Sequence, residues 1–338
     1  VRIISTLAVA LGLAACAPAT QPLAGGSQAA ESAPRGGTLF VANKFGNTLS
    51  KIDLGSGERV LDVPSCANPH ELATSPDGAH VALACYGGTS VDIFRTVDLA
   101  RVKRVELGAN ARPHGIVWHA NGALYATAEG RNSVFWIRDP LGRAETFEYG
   151  TGKEGSHMLA ISPDARHAWT VDMGSKTVTL VDLLTRRAPQ SVEVGVEPEG
   201  IALAPDGETL WVSARGSDKA FALDPMNLEI RSALDTGAFP LRLAIRPQGD
   251  VAVTSDLADG GLTVIDLERA QPIRSIVVSG REGAQERMQV TVIWSQDGER
   301  IYVAETGDDT IAEVDYASGR VLRRLSAGDG GDGLAVLP

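Results

Sequence analysis

The chain has 338 residues, is 43% hydrophobic but only 5% aromatic, and carries a formal net charge of −11. That charge argues against a nucleic-acid partner, whose phosphates need a basic surface, and against spreading on anionic lipid. Beyond a short leader about 300 residues remain, enough to bury a large core if the chain repeats a simple unit.

In chain order, Arg2 supplies a minimal basic start and Ile3 to Leu13 an apolar run too short to span a membrane as a stable helix. Leu13-Ala14-Ala15-Cys16 looks like a bacterial lipobox, in which Cys16 becomes the lipidated N-terminus after cleavage. A plain secretory signal with an incidental cysteine is the alternative. Ala17, not Asp, follows the cysteine, which is compatible with sorting to the outer membrane. Residues 1–16 are therefore read as a lipoprotein signal peptide facing the periplasm. Residues 17–35, rich in Ala, Pro, Gln, Gly and Ser, read as a flexible linker with nothing to bury.

From residue 36 a unit recurs to the end. Its clearest copy, Pro198 to Asp224, holds three short β-forming runs separated by Pro205-Asp206-Gly207 and Gly216-Ser217-Asp218 turns, the pattern of consecutive hairpins. Equivalent markers stand at Pro69, Pro113, Ser156, Pro198, Pro240, Gln289 and Gly331, spaced about 42 to 44 residues apart with one step of about 49. Seven markers predict seven units, each unable to bury both faces alone. The last unit, Gly331 to Pro338, holds a single strand, and its missing partners are Thr38 to Ala42, Leu49 to Asp53 and Arg59 to Val63. The fold predicted over 36–338 is an all-β, seven-bladed β-propeller with one blade closed by strands from both termini, which removes exposed sheet edges. Asp53, Asp182, Asp224, Asp266 and Asp315 end the third strand of five units and are predicted to cap turns; Arg95 and Arg138 stand there in the other two. Trp169, Trp211 and Tyr302 occupy equivalent second-strand positions and are predicted to pack between blades.

The units resemble the YVTN-type β-propeller repeat, through Phe40-Val41-Ala42-Asn43, Ile301-Tyr302-Val303-Ala304 and Val264-Ile265-Asp266. The resemblance covers roughly residues 36 to 338 and looks like the YncE-like branch of bacterial envelope propellers. It is specific for fold and weak for function, because the family includes binding proteins and enzyme-like members.

Two cysteines lie inside the propeller. Folding the hairpin about Asp77-Gly78 brings Cys85 near Cys66, and an oxidising periplasm favours a disulfide; free thiols or thiolate ligation of a metal are the other readings.

The residue after each marker opens the innermost strand. Around the ring these are His70, His114, His157, Glu199, Leu241, Val290 and Asp332, so three of only six histidines share one register. Imidazoles beside a carboxylate suit a divalent metal, Zn or Cu, or a non-haem iron, with His70, His114, His157 and Glu199 as ligands. A metal-free pocket for a small polar ligand, adding Arg242 and Asp332, and plain loop packing are the alternatives. Asn43, Asp172 and Glu305 are placed at the same rim, and the segment Gly280 to Met288 is a candidate lid. His80, His119 and His167 are expected to be solvated.

No Gly-x-Ser-x-Gly elbow, His-Glu-x-x-His, phosphate loop or dinucleotide fingerprint occurs. No catalytic residue is assigned. The preferred reading is a monomeric, lipid-anchored binding or scaffold protein that takes a small polar ligand, a metal or an envelope protein partner at its top face. The alternative, implied by the lactonases among similar propellers, is a hydrolase of lactone or ester type working through metal-activated water.

Overall fold

The computed structural model describes residues 36–338; the lipobox and linker readings lie outside that range. Seven four-stranded antiparallel sheets make up the described chain. The first blade runs Gly331–Leu337, Thr38–Asn43, Thr48–Asp53 and Arg59–Pro64 from inside outwards, and so combines both ends of the propeller. The second blade is Pro69–Thr74, His80–Cys85, Ser90–Arg95 and Arg101–Glu106, and the third is Pro113–Trp118, Leu124–Ala128, Ser133–Arg138 and Glu145–Gly150. The fourth comprises Ser156–Ile161, His167–Asp172, Thr177–Asp182 and Gln190–Glu193; the fifth comprises Pro198–Leu203, Leu210–Ala214, Lys219–Leu223 and Ile230–Asp235. The sixth holds Pro240–Ile245, Val251–Asp256, Gly261–Asp266 and Gln271–Val277, and the seventh Gln289–Trp294, Arg300–Glu305, Thr310–Asp315 and Arg320–Ser326. Each first-listed strand touches the first-listed strands of both neighbouring blades, which closes the ring.

Burial follows the layers. Second strands such as Leu210–Ala214 are wholly buried, whereas fourth strands such as Ile230–Asp235 alternate between exposed and half-buried. The core lies between blades as a series of aliphatic clusters. Trp169, Trp211 and Tyr302, each at most 2% exposed, anchor three of them. The Trp169 indole also donates to the carbonyl of Pro225 in the next blade, at 2.7 Å.

The strand-end aspartates cap turns. Asp53 accepts from the amide of Ser56, Asp182 from Leu184 and Thr185, Asp224 from Met226, Asp266 from Arg269 and Asp315 from Ser318. In the third blade Arg138 instead pairs with Glu145 across the strand edge.

Candidate functional site at the upper mouth

Each marker residue is the first residue of an innermost strand. Directly after it the pairing with the second strand slips: Pro69 faces Cys85 but Leu72 faces Leu83, and comparable shifts occur in all seven blades. A bulge re-aims side chains and bends the strand. Here it brings the second residue after the marker, notably Glu71 and Arg242, into the same cluster as the first. Room at the mouth is tight. A β-carbon on Gly333 would lie 1.8 Å from the carbonyl oxygen of His70, so only glycine lets the first and second blades approach this closely.

The three ring histidines form a contiguous arc. The ring centroids of His114 and His157 are 3.7 Å apart, and those of His70 and His114 4.8 Å. Tyr86 packs at 4.5 Å from His70 and edge-on at 5.3 Å from His114. His157 is clasped by two carboxylates, with Nδ1 3.0 Å from Glu129 Oε2 and Nε2 3.4 Å from Glu199 Oε1. Burial opposes its charge, but these two hydrogen bonds outweigh burial and raise its pKa above the ordinary value. His114, 3% exposed, goes the other way: burial and two neighbouring imidazoles hold it well below the usual histidine value, hence neutral. Burial likewise lowers His70, against the pull of Asp332, whose Oδ2 lies 3.9 Å from Nε2.

Arg242 ties the opposite side. From the sixth blade its guanidinium reaches Glu199 of the fifth and Glu71 of the second, the latter at 2.9 Å. The second and sixth blades are far apart around the ring, so this side chain lies across the channel axis. It is 5% exposed, as deeply buried as its partners. Burial would raise the Glu199 carboxyl, but Arg242, then His157 and Arg215 override it and hold the group down at about 2. Lys44 stands 3.5 Å from Asp332. Buried polar atoms at this mouth without a hydrogen-bond partner among the described residues include His114 Nδ1 and Asp332 Oδ1.

Two of the four candidate metal ligands, His157 and Glu199, are engaged by protein partners. His157 presents both nitrogens to carboxylates, which favour its protonated form. Glu199 is committed to Arg242 and to Arg215, which lies 2.6 Å from its Oε2. Among the described residues, the three-ligand group with all ligand atoms within 4.8 Å of one another is Cys66, Cys85 and Asp92, not a set from the histidine ring. Cys66 and Cys85 are themselves joined in a disulfide, and Asp92 is held by Arg101 and Arg104. His70, His114, His157 and Glu199 thus share a mouth, the last two held by carboxylate and arginine partners, and no hydrolytic step through bound metal is derived.

Other placements also differ from the sequence reading. Asn43, Asp172 and Glu305 turn into their own blades: Asn43 donates to Thr48 and Ser50, Asp172 accepts from four hydroxyls, and Glu305 binds Arg324. Asp256 is a fourth such group that the sequence did not single out. Burial pushes it up to about 6 despite hydrogen bonds from Thr263 and Thr254. Gly280–Arg287 is a short helix and not a loose lid, pinned by Arg281 to Asp259 and by Arg287 to Asp308 and Glu305. His80, His119 and His167 are half-buried, lying beside the rings of Trp118, Tyr125 and Trp169 in turn. His119 even replaces the turn serine, its Nδ1 accepting from the amide of Asn121 at 3.1 Å. Sequence reasoning missed Lys44, Tyr86, Glu129 and Arg215, each the residue that directly follows the second strand of its blade.

No family model and no curated protein matches the chain. Among solved structures it is similar to Kuenenia stuttgartiensis hydrazine synthase, at 18% identity and a TM-score of 0.72 over 84% of this chain and 94% of that one. A functionally unknown protein from Desulfotomaculum acetoxidans DSM 771 gives a TM-score of 0.75 at 12% identity, covering 88% of this chain and 98% of that one. A streptogramin B lyase gives 0.65 at 11% identity, covering 76% and 82%. Identities this low establish the shared fold alone.

Proposed function

We propose that the chain is a lipid-anchored binding protein of the bacterial envelope, and that its upper mouth captures a small polar ligand. The observation that carries the binding reading is the pair of buried, unpartnered atoms, His114 Nδ1 and Asp332 Oδ1, beside the partly accessible groups Lys44, His70 and Glu129. A buried polar atom without a partner costs about 1–3 kcal/mol, which a bound molecule would recover. Asp332 Oδ1 asks for a donor, and Lys44, already 3.5 Å from Asp332 Oδ2, can be shared with a ligand carboxylate, so the fitting chemistry is a small zwitterion or hydroxy acid. Because Arg242 lies across the axis, the ligand rests on this plug and does not pass through the channel. The lipobox at Cys16 and the spacer after it support the anchored placement.

The test is calorimetric titration with a panel of amino acids and hydroxy acids, and with Zn and Cu. Saturable binding of an organic probe is expected, weakened about tenfold or more in Asp332→Asn and His114→Phe, the worth of a hydrogen bond to a charged group. Stoichiometric metal binding lost in His114→Phe would reverse the assignment, and no saturable organic probe would remove it. In cells, Cys16→Ala is expected to move the protein from membranes to the soluble envelope fraction, since the segment after Cys16 has no apolar anchor. Continued membrane fractionation of that variant would refute the anchor.

A further inference from the structure

At the rim opposite the histidines, the turns of the second and third blades enclose a cavity of about 680 Å³. That volume falls within the range of small-ligand sites, roughly 300–1,000 Å³. Its walls include the indoles of Trp118 and Trp136, with Asp77, Asn121 and Asp139 at the polar edge. These two tryptophans are half-buried, whereas Trp169, Trp211 and Trp294 are at most 6% exposed.

The third blade departs from the repeat at this spot. Trp136 stands where the other third strands carry Lys51, Ile93, Leu180, Ala222, Val264 or Glu313. The first turn is His119-Ala120-Asn121-Gly122, without the Pro-Asp of the second, fourth and fifth blades, and Arg138 replaces the capping aspartate. The Trp118 indole donates to the carbonyl of Gly122 at 3.2 Å, which fixes its ring against the turn. The Trp136 indole nitrogen is buried and has no hydrogen-bond partner among the described residues.

We infer that this cavity is a saccharide-binding site that takes a pyranose ring bearing a carbonyl or hydroxyl acceptor, as in an N-acetylated hexosamine. A pyranose has an apolar C–H face for indole surfaces and hydroxyls for a mixed edge of carboxylates and amide. The unpartnered group decides against the other ligand that tryptophans and carboxylates favour, a quaternary ammonium. An indole N–H is a donor and needs an acceptor, which a quaternary ammonium lacks.

The experiment is titration of the full chain, followed by intrinsic tryptophan fluorescence, with N-acetylglucosamine, its β-1,4-linked trimer, glucose and choline. Fluorescence is apt because the accessible indoles are the two at the cavity. A saturable change with at least one saccharide is expected, abolished in Trp118→Ala and at least tenfold weaker in Trp136→Phe. Leu141, 44% exposed at the cavity edge, provides a variant without a folding cost: Leu141→Arg is expected to obstruct binding at unchanged melting temperature. No saturation by any saccharide, saturation by choline alone, or wild-type affinity in both Trp136→Phe and Leu141→Arg overturns the inference.

Discussion

A chain ending at Gly330 is expected to lose its cooperative thermal transition altogether. The missing strand, Gly331–Leu337, is the innermost of the first blade and pairs with Thr38–Asn43 along nearly its full length. It also supplies Leu334 to the cluster holding Leu39, Val41, Tyr302 and Leu325, and Ala335 to the one holding Phe40 and Leu83. Its loss opens two interfaces and two sheet edges at once, which a ring of mutually supporting blades cannot localise. Circular dichroism melts and limited proteolysis read the outcome. A truncated chain that melts as sharply as the parent, at the same temperature, would contradict the closure described above.

Arg242→Met is expected to destabilise the protein by about 3–5 kcal/mol at neutral pH, because it strands the buried carboxylates Glu71 and Glu199 without their shared cation. The sign with pH follows from the direction of the Glu199 shift. In the parent its folded pKa lies below the unfolded value, at about 2, so the stability it contributes is full above the ordinary carboxylate range and lost as pH falls towards 2. In the variant the carboxylates are disfavoured as anions, so acid relieves them. The gap between variant and parent should therefore be widest near pH 7 and shrink below about pH 5. Denaturant melts across that range measure it, and a constant gap would show that Arg242 acts through packing alone. Adding Glu71→Gln and Glu199→Gln to Arg242→Met should recover much of the loss, which identifies charge as its cause.

The fold was legible because the repeat carries its own register. Pro69, Pro113, Pro198 and Pro240 mark strand starts, and each open position could be checked against six others. The ring of His70, His114, His157, Glu199 and Asp332 was legible for the same reason. What those residues do to one another was not. Whether His157 is a ligand or a cation depends on Glu129, at a register after the second strand that other blades fill with Lys44, Tyr86, Met173 or Arg215, and on how far Arg242 reaches across the axis. The bulge after each marker adds a second inward residue, and a period-2 strand reading assigns that residue to the opposite face. Asn43, Asp172 and Glu305 misled in the converse way: a polar strand end at a rim reads as a site, yet hydroxyls and arginines within the same blade consume it. The cavity at Trp118 and Trp136 needs turns from two blades, a juxtaposition no single repeat encodes.

The shared first blade also governs when folding can finish. Of the described strands Thr38–Asn43 is made first, and its inner partner Gly331–Leu337 last. Until then the first blade lacks its axial strand, and the innermost strand of the second blade lacks one neighbour. Long-range pairing of this kind is slow and leaves edges open to other chains. Closure therefore waits on Gly331–Leu337: the other blades must be kept from pairing with other chains until that strand is in place.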